Sequence, residues 1–132
     1  MMKRTHLAVG IAITVPLIIK SELPIYSAIG IIGATAPDWD FYIGIKHRTL
    51  THSLLITLLS TLLIYSINDS IGIIWGVNYL SHLLIDSLTK MGVPFLYPFI
   101  KNKYGLKKFR TGDGEDYLIQ LISIFITMNN FI

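Results

Sequence analysis

Five apolar runs, at residues 7–19, 23–36, 53–67, 71–88 and 117–132, fill most of the chain and are separated by polar breakers. At about 1.5 Å of rise per residue, a helix over the third or fourth run approaches the ~30 Å hydrocarbon thickness of a bilayer. The first two runs are shorter and carry Pro16, Gly30 and Gly33, so they are expected to be tilted, broken or partly inserted. Only 14% of the 132 residues are charged, against roughly 25% in a soluble domain. The expectation is an all-α, polytopic membrane bundle of about four to five short hydrophobic helices, residues 1–132 forming one domain.

The breakers are Ser21-Glu22-Leu23-Pro24, Ala36-Pro37-Asp38, Asn68-Asp69-Ser70 and a long polar stretch over residues 90–116 with Pro94 and Pro98. Ser70 is expected to cap the fourth helix. The opening Met1-Met2-Lys3-Arg4 before an apolar run resembles a signal peptide, but no small-x-small cleavage site follows, and a retained first helix is expected. Cysteine is absent, so any metal must be held by nitrogen and oxygen. The net charge of +3 does not point to nucleic acid, because the basic residues lie in loops rather than on one amphipathic face.

With five crossings and a cytoplasmic N-terminus, Lys3, Arg4, Lys46, Arg48, Lys90, Lys101, Lys103, Lys107, Lys108 and Arg110 fall inside and Lys20 alone outside. The positive-inside rule favours this topology. It has a second consequence. His6, Asp38, Asp40, His47, His52, His82 and Asp86 all fall at the same, cytoplasmic, membrane face, with Asp113, Glu115 and Asp116 beside them. Histidine and aspartate are costly in lipid unless paired, hydrated or metal-bound, so their gathering marks a site.

His82 and Asp86 stand four apart on a predicted helix and project from one face. Such a pair either holds a divalent ion or forms a hydrogen-bonded lock between helices. Asp38 and Asp40 flank Trp39; they either turn toward a common ion or form a solvated interfacial turn anchored by the indole. His47 and His52 enclose Arg48, which either contacts a phosphate or carboxylate with its planar fork or serves as an interface cation. Thr51, Ser53 and Ser81 either orient ligands or cap and pack helices. Together the seven ligand candidates exceed the four of one tetrahedral ion, and two ions sharing a carboxylate suit their number better. Imidazole with carboxylate points to zinc first, then manganese or iron.

At these residues the chain resembles the YdjM-like family of membrane-bound predicted metal-dependent hydrolases. The resemblance is carried by Thr5-His6, Gly33-Ala34-Thr35-Ala36-Pro37-Asp38-Trp39-Asp40, His47-Arg48-Thr49-Leu50-Thr51-His52-Ser53, Ser81-His82-Leu83-Leu84-Ile85-Asp86 and Gly92-Val93-Pro94-Phe95-Leu96-Tyr97-Pro98. Arg110-Thr111-Gly112-Asp113-Gly114-Glu115 is similar to the family's later Thr-Gly-x-x-x-Glu element, with reduced spacing. It implies a helical membrane protein with a metal site and hydrolase activity. A more distant similarity, to zinc-dependent phospholipase C and P1-type nucleases, rests on an Asp, His and HxxxD ligand order that Asp38 or Asp40, His47 or His52, and His82 with Asp86 reproduce. It implies phosphoester hydrolysis, without the third metal site, since no histidine follows His82.

The expected activity is hydrolysis of a phospholipid or lipid-linked phosphate by metal-activated water, with Arg48 or a second ion stabilising developing charge and Asp40 or Glu115 as general base. Membrane lipids are the expected partners. Two rivals stand beside it. A metal-ion transporter would spread ligands through the membrane depth, and a non-catalytic scaffold would close its ligand shell around a structural ion.

Overall fold

The computed structural model describes residues 1–132. It contains helices α1 (Lys3–Lys20), α2 (Asp40–Ile43), α3 (Leu54–Ile67), α4 (Asp69–Leu88) and α5 (Gly114–Asn129), with 3₁₀ segments at Ile25–Ala34, Ala36–Trp39 and Leu50–His52 and no strand. The all-helical expectation holds. α4, of 20 residues and about 30 Å, is the one helix long and apolar enough to cross a membrane.

The third run does not reach that length. α3 has 14 residues, about 21 Å, because Asn68 turns extended (φ −152°, ψ 117°) and starts the next helix. Asn68, rather than Ser70, caps α4: its side chain accepts from the backbone N–H of Ile71 at 2.9 Å. Asparagine at that position satisfies an amide that the helix itself leaves orphaned.

The second run differs from expectation in kind. Over Ile25–Ala34 it winds as a 3₁₀ helix, in which residues three apart lie in line, and Ser27, Gly30 and Gly33 form its buried edge. That edge lies directly on α4. A Cβ added to Gly30 would stand 2.7 Å from the carbonyl oxygen of Ile71 and the backbone nitrogen of Trp75, and one on Gly33 would stand 2.5 Å from the Trp75 carbonyl oxygen. Only a residue without a side chain permits such backbone contact.

α4 is thus central: α3 folds back against it as a hairpin, while the 3₁₀ segment and α1 pack on it, and α5 packs on α1. A small apolar core of Ala36, Tyr79, Leu83 and Val93 ties the 3₁₀ turns, α4 and the irregular stretch after it together. That stretch is held by reciprocal backbone bonds between Val93 and Tyr104, at 2.9 and 2.8 Å.

The distribution of polarity is inverted relative to a soluble bundle. Leu58, Leu62 and Leu63 on α3 and Leu121, Phe125 and Met128 on α5 are exposed, whereas Asp40, Asn78, His82 and Asp116 are wholly buried. In water this would forgo ~25 cal/mol for each Å² of apolar surface left uncovered. Against lipid tails it keeps the polar groups inside and the hydrocarbon outside.

Candidate metal centre

The last two turns of α4 present His82 and Asp86 on one face, one turn apart, as their spacing requires. The turn Ala36–Trp39 brings Asp38 opposite them, and the turn Leu50–His52 brings His52. Asp38, His52, His82 and Asp86 are all buried, and each offers a ligand atom within 4.8 Å of the others. His52 Nε2 lies 3.6 Å from Asp38 Oδ1 and 3.5 Å from Asp86 Oδ2; His82 Nε2 lies 3.5 and 3.6 Å from the same two oxygens. Ligands about 2.0–2.2 Å from a shared tetrahedral ion are about 3.3–3.6 Å from one another.

The hydrogen bonds around the cluster aim both Nε2 atoms at the carboxylates. His82 Nδ1 donates to the carbonyl oxygen of Ala34 at 2.7 Å, which turns its Nε2 toward Asp38 and Asp86. His52 Nδ1 lies 3.1 Å from Thr51 Oγ1, which in turn donates to Asp40 Oδ2 at 3.1 Å, so the His52 Nε2 likewise faces Asp38 and Asp86. Both Nε2 atoms are buried without a hydrogen-bond partner, while Asp86 Oδ2 is paired with Arg48 Nη2 at 3.0 Å. Buried polar atoms without partners are costly in a folded interior, and a cation between the two deprotonated imidazoles would satisfy both.

Asp38 shows the same electrostatic pattern. Burial alone would push its carboxyl up, but the adjacent imidazoles of His52 and His82 hold it well below the usual carboxylate range.

The other sequence candidates take different places. Asp40, at the start of α2, accepts from His47 Nδ1 at 3.0 Å, from the Arg48 backbone N–H at 3.3 Å and from Thr51, forming a second group with His47 and His52. In that arrangement Asp40 orients His52 from behind. Burial pushes the His47 imidazole down from its usual value, with Asp40 opposing it. His6, in the first turn of α1, stacks on His82 with ring centroids 3.6 Å apart and lies 3.2 Å from Asp86 Oδ1, outside the group of four. The Met1 amino group contacts that same oxygen.

Glu115 does not join the site: it is exposed in the first turn of α5. Its neighbour Asp116 is buried instead, bonded to Thr5 Oγ1 and to the Gly112 N–H at 2.7 Å, and docks α5 onto the start of α1. Ser53 caps α3 and Ser81 donates to the Asn78 carbonyl within its own helix, so of the three hydroxyls Thr51 alone touches a candidate ligand.

Arg48 is the residue whose role sequence spacing underdetermines most. Its backbone is in the left-handed region (φ 55°), a conformation uncommon for arginine, and its side chain is 3% exposed. Nη1 donates to Thr89 Oγ1 at 2.8 Å and to the Gly92 carbonyl at 3.1 Å, while Nη2 lies 3.0 Å from Asp86 Oδ2. The residues that hold it, Thr89 and Gly92, were not among the sequence candidates; nor was Ala34, whose carbonyl orients the His82 ring. The signals near them were the Gly92-Val93-Pro94 and Gly33-Ala34-Thr35 elements.

A sequence profile of the YdjM inner membrane protein family matches residues 1–131, nearly the whole chain and every residue of the cluster. The chain belongs to this family. No curated protein and no solved structure matches it. Membership in the YdjM family accords with the apolar exterior and places the His/Asp cluster in a membrane protein.

Proposed function

We propose that the chain is a membrane-bound hydrolase that uses one or two divalent ions, zinc first, to cleave a phosphoester of a phospholipid or lipid-linked phosphate. The observation that carries this reading is the position of Arg48, which touches the candidate ligand Asp86 through its guanidinium and is itself a wall residue of a basic cavity. A purely structural cluster needs no such bridge. Asp38, His52, His82 and Asp86 would hold the ion; His6 with Asp86 Oδ1, or Asp40 with His47, would support a second. An ion there supplies Lewis acidity toward a phosphoryl oxygen and makes water nucleophilic near neutral pH. Arg48 is placed to bind a phosphate oxygen and oppose charge developing on it. Asp40 is the nearest carboxylate outside the group of four to take a proton; Glu115, exposed on α5, lacks that placement.

In this reading several of the shorter helices also enter the bilayer, and the basic loops put the cluster on the cytoplasmic side. The ligand order Asp, His and HxxxD supports the distant likeness to phospholipase C and P1-type nucleases.

A second reading, a structural ion that staples short helices, is favoured by one observation: four buried protein ligands already fill a tetrahedral shell. Metal analysis of the detergent-purified protein tests both. Stoichiometric metal is expected in the wild type and is expected to be lost in His82→Ala and Asp86→Ala; a metal-free wild type would sink the site. If the metal-loaded protein releases no phosphate from a panel of lipid phosphates, yet loses thermal stability on chelation, the structural reading stands and the hydrolase does not.

A further inference from the structure

The cavities along α1, α3, α4 and α5 are lined mostly by apolar side chains, as a lipid-facing surface requires. One cavity departs from that pattern. It has a volume of about 280 Å³ and is lined by Lys46, Arg48, Thr49, Tyr97, Lys101 and Lys103, together with Pro94 and no acidic residue. Three lysines converge on this small space beside Arg48, which is already paired with Asp86, and such a one-signed field draws an anion. The Nε of Arg48 is buried without a partner. Burial, followed by the charges of Arg48, Lys46 and Lys107, pulls the Lys103 ammonium below its usual value, which is the field an anion would relieve.

A second cavity, of about 240 Å³, adjoins the first and is wholly apolar, with Leu55, Leu58 and Phe99 in its wall. Tyr97 lines both, so a cationic space and an apolar one share a single side chain as wall.

We propose that Lys46, Arg48, Lys101 and Lys103 form the recognition site for the phosphate of a membrane amphiphile, whose alkyl chain runs past Tyr97 along Leu55, Leu58 and Phe99. Thr49 and Tyr97 supply hydroxyl donors to the phosphate. Arg48, shared by the cavity and the cluster, sets that phosphate beside Asp86. The reaction at Asp86 rests on the hydrolase reading, but recognition does not depend on turnover.

The test is calorimetric titration of the full chain in detergent with dioctanoyl phosphatidate, glycerol phosphate, inorganic phosphate and dioctanoylglycerol. Phosphatidate is expected to bind at least about tenfold more tightly than any of the other three, since each lacks either the chain or the charge. The double variant Lys101→Ala/Lys103→Ala is expected to weaken phosphatidate about tenfold or more while keeping its metal content and thermal melt. Lys20→Ala, at the far end of α1, is expected to bind as the wild type does.

Equal binding of phosphatidate and dioctanoylglycerol would mean adsorption to the lipid face and would overturn the proposal. So would equal binding of phosphatidate and free phosphate, which marks a simple anion site, or full affinity in the double variant. Lysine-dependent binding of phosphatidate with no hydrolysis in the metal-loaded protein would uphold the recognition site and remove the hydrolase.

Discussion

Thr51 separates a ligand that is held from one that merely lies nearby. Its hydroxyl stands between His52 Nδ1 and Asp40 Oδ2, at 3.1 Å from each, and so fixes which imidazole nitrogen faces the cluster. Outer partners of this kind commonly set metal affinity by about 10–100-fold. Thr51→Val, which keeps the shape and removes the donor, is expected to weaken zinc binding within that range, measured by competition with a chelator. Ser81→Ala is expected to leave affinity unchanged, since that hydroxyl bonds its own helix. Equal losses in the two variants would count against the relay. His82 and Asp86 were legible in the sequence because helical periodicity alone places residues four apart together. The Ala34 carbonyl was not, because a backbone acceptor has no side-chain signature. The Thr89 and Gly92 contacts to Arg48 were hidden in an irregular stretch without periodicity.

The 3₁₀ segment decides whether those residues meet. Its small residues recur every third position, at Ser27, Gly30 and Gly33, and this period lets the segment lie on α4 until the Ala34 carbonyl reaches His82. The sequence contained that period, yet it reads as a broken hydrophobic span, because the outward residues Ile25, Tyr26, Ile29 and Ile32 are apolar too. Where both faces are apolar, the contrast that reveals a helical period disappears. A side chain at Gly33 would meet the Trp75 backbone rather than a movable side chain. Gly33→Val is therefore expected to destabilise the fold by about 1–3 kcal/mol and to lose metal together with stability. The exposed Ile32→Val should do neither. Thermal melts of the two variants with metal content measured alongside decide it, and a stable, metal-replete Gly33→Val would mean that the close approach does not position His82.

At the scale of the whole molecule, polar burial and apolar exposure argue for a membrane setting more strongly than helix length does. α4 alone spans by length and composition, whereas α3 and α5 expose leucine and phenylalanine along shorter helices whose buried residues are Thr57, Asp116 and Ser123. Short helices of this kind suit a bilayer that thins locally or a bundle that sits partly in one leaflet. The orientation proposed above rests on charge, since all the basic residues but Lys20 flank the cluster side of that topology. Since the chain has no cysteine, single cysteines report sidedness cleanly. Asn102→Cys, exposed beside Lys101 and Lys103, is expected to react with a membrane-impermeant maleimide only after cells are opened. Ser21→Cys, exposed after Lys20, is expected to react in intact cells. The reverse pattern would put the cluster on the outer face, and labelling of both in intact cells would place both loops outside the bilayer on one side, which five crossings do not allow. The cluster's geometry would survive either result, but its access to cytoplasmic metal and to inner-leaflet lipid phosphate would not.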